Sequence, residues 1–279
     1  MAITSVNETL AQDTERLLHI QTADGNTYIG TLVSEDDVKL VLRTENLGSI
    51  TIFKSDISKR REIDRDRFVR GGLWFENPQA TRYFWSPNGY GLKKGEWYYQ
   101  NVWIFFNQVS TGVTDNFSLG AGMVPLFLFA GTSTPVWITP KISIPVIKDQ
   151  LNLGTGALLG TVVGLENSSF GILYGMSTFG SRDRNLTIGL GWGFAGGELT
   201  NRPTINIGGM IRTGARGYIL TENYYVSTGE GGGGFLSIGG RRIINKLGLD
   251  FGLIAPIWDE MDSFIAFPWL GLIIPFGNY

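Results

Sequence analysis

The ionisable residues in the C-terminal two-thirds of the chain are few and unusually placed. Lys141, Arg212, Glu222, Arg241 and Asp250 sit in segments that otherwise alternate apolar residues with Gly, Ser, Thr or Asn. In an extended chain successive side chains point to opposite faces. These charges therefore share a face with small polar residues and oppose an apolar one. On a narrow, enclosed face they allow two kinds of chemistry. Opposite signs can pair and hold a structure together, or the set can form a constriction that contacts solutes by charge. The residue types leave both readings open, and these five are the candidate lumen-lining and solute-contact residues.

Other reactive constellations are missing. The one histidine, His19, lies between Leu18 and Ile20 in a strand-like run and reads as a surface or half-buried residue. Cysteine is absent, which removes thiol nucleophiles, disulfides and Cys-ligated metals. The glycine run at Gly229–Gly234 has no following Lys-Ser/Thr and no helix pattern, so it reads as a loop tip and not a phosphate cradle. Asp183 and the cluster Asp259, Glu260 and Asp262 lack the spacing of a calcium loop. Glu222 and Asp250 could form an acid pair only if the fold brought them together, and nothing in the sequence does so. A net charge of −2 gives no electrostatic grip on nucleic acid. The expectation is a protein that is not an enzyme and has no cofactor, metal or nucleic-acid partner.

The elements that position the five charges follow from composition and period. Charged residues number 27 in positions 1–100 and 21 in positions 101–279, while Gly rises from 8 to 31, so the outer surface of the second part cannot be the usual charged one. From about Glu96 onward, segments of about ten residues repeat between turn clusters, a length that suits a tilted strand crossing a hydrocarbon layer. In Asn185–Phe194, Leu186, Ile188, Leu190, Trp192 and Phe194 oppose Asn185, Thr187 and three glycines. Lys246–Leu253 and Thr204–Arg212 repeat the pattern, and Leu151–Leu159 and Phe170–Met176 follow it less cleanly. Turns are expected at 111–116, 180–185, 196–203, 227–234 and 258–263. This predicts an all-β fold with an antiparallel transmembrane β-barrel of about twelve strands over residues 71–279. The last strand comes from Thr81–Trp85 or from splitting the final segment. Trp85, Trp97, Tyr98, Tyr99, Trp103, Trp137, Tyr218, Tyr224, Tyr225, Trp258 and Trp269 are expected near strand ends, at headgroup level. No run is long and apolar enough for a membrane helix.

Residues 1–70 read as a separate small β module with a linker. A short helix is expected at 4–14. Strands follow at Leu17–Thr22, Tyr28–Val33, Val38–Arg43 and Ser49–Phe53, the first two joined by Asp24-Gly25-Asn26, a strong hairpin signal. Residues 58–70 alternate in charge and read as a solvated linker or short helix. Met1–Glu15 lacks the basic and apolar regions of a secretory signal.

Two resemblances complete the reading. "DGNTYIGTLVSEDDVKLVLRTENLGSITIFKSDI" resembles Sm/SH3-like small barrels, although Lys54-Ser55-Asp56-Ile57 stands where such RNA sites carry an Arg-Gly pair. "ATRYFWSPNGYGLKKGEWYYQNVWIFFNQVSTGVTDNFSLGAGMVPLFLFAG", "TPKISIP", "GSRDRNLTIGLGWGFAGGE" and "TENYYVST" look like a family of uncharacterised outer-membrane β-barrel proteins of Bacteroidota. Gly271, Ile274 and Phe276 also match the spacing of a closing outer-membrane strand. The resemblance implies a bacterial outer-membrane location, contact with outer-membrane lipid, and a structural or narrow porin-like role. It also implies a periplasmic or envelope protein partner for the N-terminal module. Outer-membrane barrel enzymes place a His in or above the barrel as general base, and residues 96–279 contain none. The competing reading is a soluble, extended β-protein, such as a carbohydrate-binding or fibre-type module.

Overall fold

The computed structural model describes residues 16–63, 68–69, 72–74, 76–227, 231–258 and 263–277. The helix expected at 4–14, the acidic cluster Asp259, Glu260 and Asp262, and part of the glycine run lie outside the described residues. The chain divides into two compact units, Met1–Trp74 and Phe75–Tyr279.

The first unit contains β1 (Leu17–Thr22), β2 (Thr27–Glu35), β3 (Lys39–Thr44), β4 (Gly48–Phe53) and β5 (Ile57–Ile63). They form one antiparallel sheet in the order β4-β3-β2-β1-β5. Leu18, Ile20, Leu40, Leu42 and Ile52 form its buried core. The first turn is as expected: Gly25 takes a φ of 89°, and the Asp24 carboxylate accepts from Asn26 N and the Thr22 hydroxyl. A 3-10 turn at Lys54–Asp56 leads into β5. Residues 57–63 are therefore a strand and not a linker or helix. β5 has no fully buried side chain; it pairs with β1 and only Ile57, at its start, packs on the core, so no apolar period betrays it. Its exposed Lys59, Arg60, Arg61 and Glu62 suit an open sheet edge, where charge discourages pairing with other chains. Arg60 and Lys54 both grip the Glu35 carboxylate and hold its pKa down to about 2. Burial, then Arg61 and Lys59, push the His19 pKa down, which favours the neutral ring. Two short strands, β6 (Phe68–Val69) and β7 (Gly72–Leu73), pair with each other.

The second unit contains β8 (Glu96–Val102), β9 (Phe106–Gly112), β10 (Phe117–Met123), α1 (Pro125–Phe129), β11 (Thr134–Ile147), β12 (Leu151–Val163) and β13 (Phe170–Ser181). It continues with β14 (Arg184–Ala195), the two-residue β15 (Glu198–Leu199), β16 (Thr204–Gly214), β17 (Gly217–Ser227), β18 (Gly232–Ile244), β19 (Leu247–Trp258) and β20 (Phe267–Gly277). β15 only extends a hairpin from β14. The other twelve strands close on themselves, each antiparallel to the next, with β20 pairing back to β8 from Gly271↔Val102 to Gly277↔Glu96. The final segment is one unsplit strand, and Thr81–Trp85 is not a barrel strand. Those residues lie inside the barrel.

The barrel wall has inverted polarity. On β14, Leu186, Ile188, Leu190 and Trp192 are exposed on the outside, while Asn185 and Thr187 are buried on the inside. Ile205, Ile207 and Ile211 on β16 and Phe251 and Leu253 on β19 also face outward, with Asp250 buried within. A soluble sheet does the opposite, burying its apolar face. The soluble alternative is therefore set aside: among the described residues, no second sheet covers these faces. Ile188→Arg places a charge at the middle of that outer face. It is expected to cost about 2–4 kcal/mol in a bilayer, read as a lower urea midpoint in lipid vesicles, with Ile188→Leu near neutral.

The aromatics divide between the faces and do not all gather at the rims. Tyr98, Trp137, Tyr218 and Trp269 are buried, whereas Trp97, Tyr225 and Trp258 are exposed. Trp97 stacks on Phe276, with ring centres 5.9 Å apart, where the last strand meets the first. Connections also divide by end. Short turns at 113–116, 148–150, 182–183, 215–216 and 245–246 lie at the end where β8 begins and β20 finishes. The opposite end carries the three-residue turn at 103–105 and the longer connections at 124–133, 164–169 and 196–203.

Candidate functional site in the barrel lumen

Between the unit boundary and β8, the chain enters the barrel. Residues 77–90, apart from the half-buried Trp85 and Pro87, are buried, with Gln79, Tyr83 and Asn88 fully so. Their sequence, NPQATRYFWSPNGY, has no strand or helix period but is rich in turn residues. Tyr83 N donates to Ser86 O and Asn88 N to Thr81 O, with Arg82 bridging to Pro87. The result is a tight hairpin with Phe84 and Trp85 at its apex. Pro87 fixes its own φ. Asn88 ties both legs, donating from Nδ2 to Ala80 O at 2.9 Å and accepting from Tyr90 N at 2.9 Å.

The inward charges hold this hairpin. Glu222 on β17 accepts the backbone N–H groups of Phe84, Trp85 and Ser86 on one oxygen, each at 2.9 Å. Its other oxygen accepts from the Tyr224 hydroxyl at 2.6 Å. Successive N–H groups converging in a turn form an anion-binding nest, and here a wall carboxylate fills it. Arg241 on β18 pairs with Asp250 on β19 at 2.6 and 2.8 Å. It also donates to Asn77 Oδ1, Gln79 O and Tyr83 O at 3.0, 2.6 and 2.8 Å. Lys141 on β11 donates to Tyr90 O at 2.5 Å and Thr81 O at 3.3 Å. Four of the five candidate residues thus act on the inner hairpin, Asp250 through Arg241. Arg212 does not join them. It binds Asp183 at 2.9 Å and the carbonyls of Gly214 and Ala215, fastening turns at the short-turn end. Asp183 is also taken by the Tyr218 hydroxyl at 2.5 Å. Glu222 and Asp250 are each engaged separately and form no acid pair.

Neutral contacts that the sequence does not signal complete the seat. The Tyr83 hydroxyl bonds Asn185 Oδ1 at 2.7 Å and Thr187 Oγ1 at 2.6 Å. Gly89 N donates to Thr178 Oγ1 at 2.7 Å, Gln79 Nε2 to Gln100 at 3.0 Å and Ser86 Oγ to Asn206 at 2.9 Å. Below the apex, Tyr83, Phe84, Met210, Leu220, Ile243 and Trp269 share one apolar cluster. Gly208 makes room for it, because a Cβ there would stand 2.5 Å from the Tyr83 ring. Gly208→Leu is expected to displace the hairpin at an overpacking cost of about 1–3 kcal/mol. Hydrogen exchange across residues 77–92 should rise. Gly189→Ala, whose Cβ would meet its nearest neighbour at an ordinary 3.4 Å, should leave exchange unchanged.

No family model and no curated protein matches the chain. Among solved structures it is similar to OpdQ of Pseudomonas aeruginosa, at 12% identity over 93% of this chain and 75% of that one, with a TM-score of 0.37. It is also similar to CymD, described as a monoaromatic hydrocarbon channel, at 8% identity over 93% of this chain and 86% of that one, with a TM-score of 0.36.

Proposed function

We propose that this chain is an integral barrel of the bacterial outer membrane with a narrow, porin-like lumen held closed by residues 77–92, and that it performs no catalysis. The observation that supports this most is the inverted wall, apolar outside and polar inside, around a hairpin held by hydrogen bonds. A lipid-facing barrel needs that polarity. A bore filled by the chain's own segment needs that segment to move before solute passes. The short-turn end, where β8 begins and β20 finishes, then faces the periplasm. Purified protein in detergent should migrate differently on gels with and without boiling, and should give little conductance in a planar bilayer. Replacing residues 77–92 by a Gly-Ser linker should give steady conductance. A chain that stays monomeric in buffer without detergent would overturn the membrane assignment, and a silent linker variant the passage.

The small N-terminal sheet, which we take to be SH3/Sm-like, is proposed as a docking module for an envelope protein. Support comes from its open edge strand β5, whose Lys59 and Arg61 are exposed. Full-length protein should recover a partner from envelope extract that an Arg61→Glu chain loses; equal recovery by both would remove this assignment.

A further inference from the structure

The described part of the lumen holds more positive charge than negative. Asp250 is matched by Arg241, and Glu222 by backbone N–H groups and Tyr224. Lys141 is spent on carbonyl oxygens. Arg82, on the hairpin, has no carboxylate within ion-pair reach among the described residues. Its Nη1 donates to Gln100 Oε1 at 3.2 Å and its guanidinium lies 5.8 Å from the Tyr98 ring centre. Its Nε has no hydrogen-bond partner, although the residue is only 8% exposed. A buried cation without a counter-charge is costly, and the space beside it offers a place for one.

Arg82 lines a cavity of about 100 Å³ between the hairpin apex and the wall. Trp85, Leu158, Ile172 and Met176 give it an apolar side. Tyr174 also lines it. A smaller void of about 20 Å³ shares Arg82 and Tyr174 with this cavity and reaches Lys141. We propose that the cavity binds a small organic monoanion. Its acid group meets the Arg82 guanidinium and the Tyr174 hydroxyl, with the Lys141 charge behind them. Its body of a few carbons lies against Leu158, Ile172, Met176 and Trp85. The binding is an equilibrium property of the closed barrel and does not depend on whether solute crosses.

The test uses the full chain in detergent, with radiolabelled butyrate in equilibrium dialysis and butyramide or chloride as competitor. Saturable binding at one site is expected. Butyramide, the same shape without the charge, should compete at least about tenfold more weakly, since a hydrogen bond to a charged group exceeds the 1.4 kcal/mol that a tenfold ratio represents. Chloride lacks the apolar body and should also compete weakly. Arg82→Gln should remove the preference for butyrate over butyramide. Leu158→Trp fills the cavity from the wall and should abolish uptake while gel mobility without boiling stays unchanged. If Arg82→Gln fails to fold, Leu158→Trp decides alone. No saturable binding, equal competition by butyramide, displacement by chloride at butyrate-like concentrations, or full uptake by Leu158→Trp would each overturn the proposal.

Discussion

Glu222→Ala is expected to convert a closed barrel into a conducting one. The carboxylate holds three consecutive backbone N–H groups at the hairpin apex and is the one acceptor each of them has among the described residues. Truncation strands those donors in a buried place, at about 1–3 kcal/mol for each group left unsatisfied. They recover bonds only by reaching water, which means lifting the apex from the wall. The wall itself keeps its ladder, because β16, β17 and β18 pair through backbone groups that the substitution does not touch. The loss should therefore be local. Residues 77–92 should exchange amide hydrogens faster, and a planar bilayer should show openings absent from the unmodified chain. Glu222→Gln keeps one acceptor oxygen but loses the charge that strengthens all three bonds, so it should fall between the two. A silent Glu222→Ala barrel with a still-protected hairpin would show that the nest does not hold the apex.

The barrel was legible in the sequence because its period was clean. Residues 185–194 alternate without exception, and the structure pairs them in that register from Arg184↔Ile211 to Gly191↔Thr204. The Leu17–Thr22 strand and its Asp-Gly turn were legible for the same local reasons. The inner hairpin was not. Its partners lie far along the chain, Arg241 meeting Gln79 across 162 positions, and its own residues carry turn signals with no period. One trace was present: Ser86-Pro87-Asn88-Gly89 is a turn motif flanked by Tyr83-Phe84-Trp85 and Tyr90, too aromatic for a solvated linker. Thr81–Trp85 reads as a candidate strand because of its aromatic run Tyr83-Phe84-Trp85, but the inside of a barrel also gives such side chains a dry environment. The five charges stand out in the sequence because charge is rare there. What they bind could not be read, since the wall face was visible and its occupant was not. β5 is hidden for a simpler reason: its Lys59, Arg60, Arg61 and Glu62 are all exposed, so only Ile57 and Ile63 at its ends are apolar and no strand period shows.

Arg241→Ala should be the most destabilising single change in the barrel unit, and its double mutant should separate wall from hairpin. Arg241 is 1% exposed and Asp250 0%. Removing the guanidinium leaves a buried carboxylate uncompensated, which typically costs about 3–5 kcal/mol. It also cuts the bonds to Asn77, Gln79 and Tyr83. Arg241→Lys should rescue little, because an ammonium cannot span Asp250 and three hairpin acceptors with one planar fork. Arg241→Met with Asp250→Leu removes both charges together, and well-packed apolar replacements of a buried pair are often neutral or better. That double mutant should regain most of the urea midpoint in vesicles, yet its hairpin should still exchange fast, since the carbonyls of Gln79 and Tyr83 have lost their donor. The wall responds to charge balance and the hairpin to donor geometry, so the two readouts should part. A double mutant as unstable as Arg241→Ala would mean that the lost hairpin bonds, and not the orphaned Asp250, carry the cost.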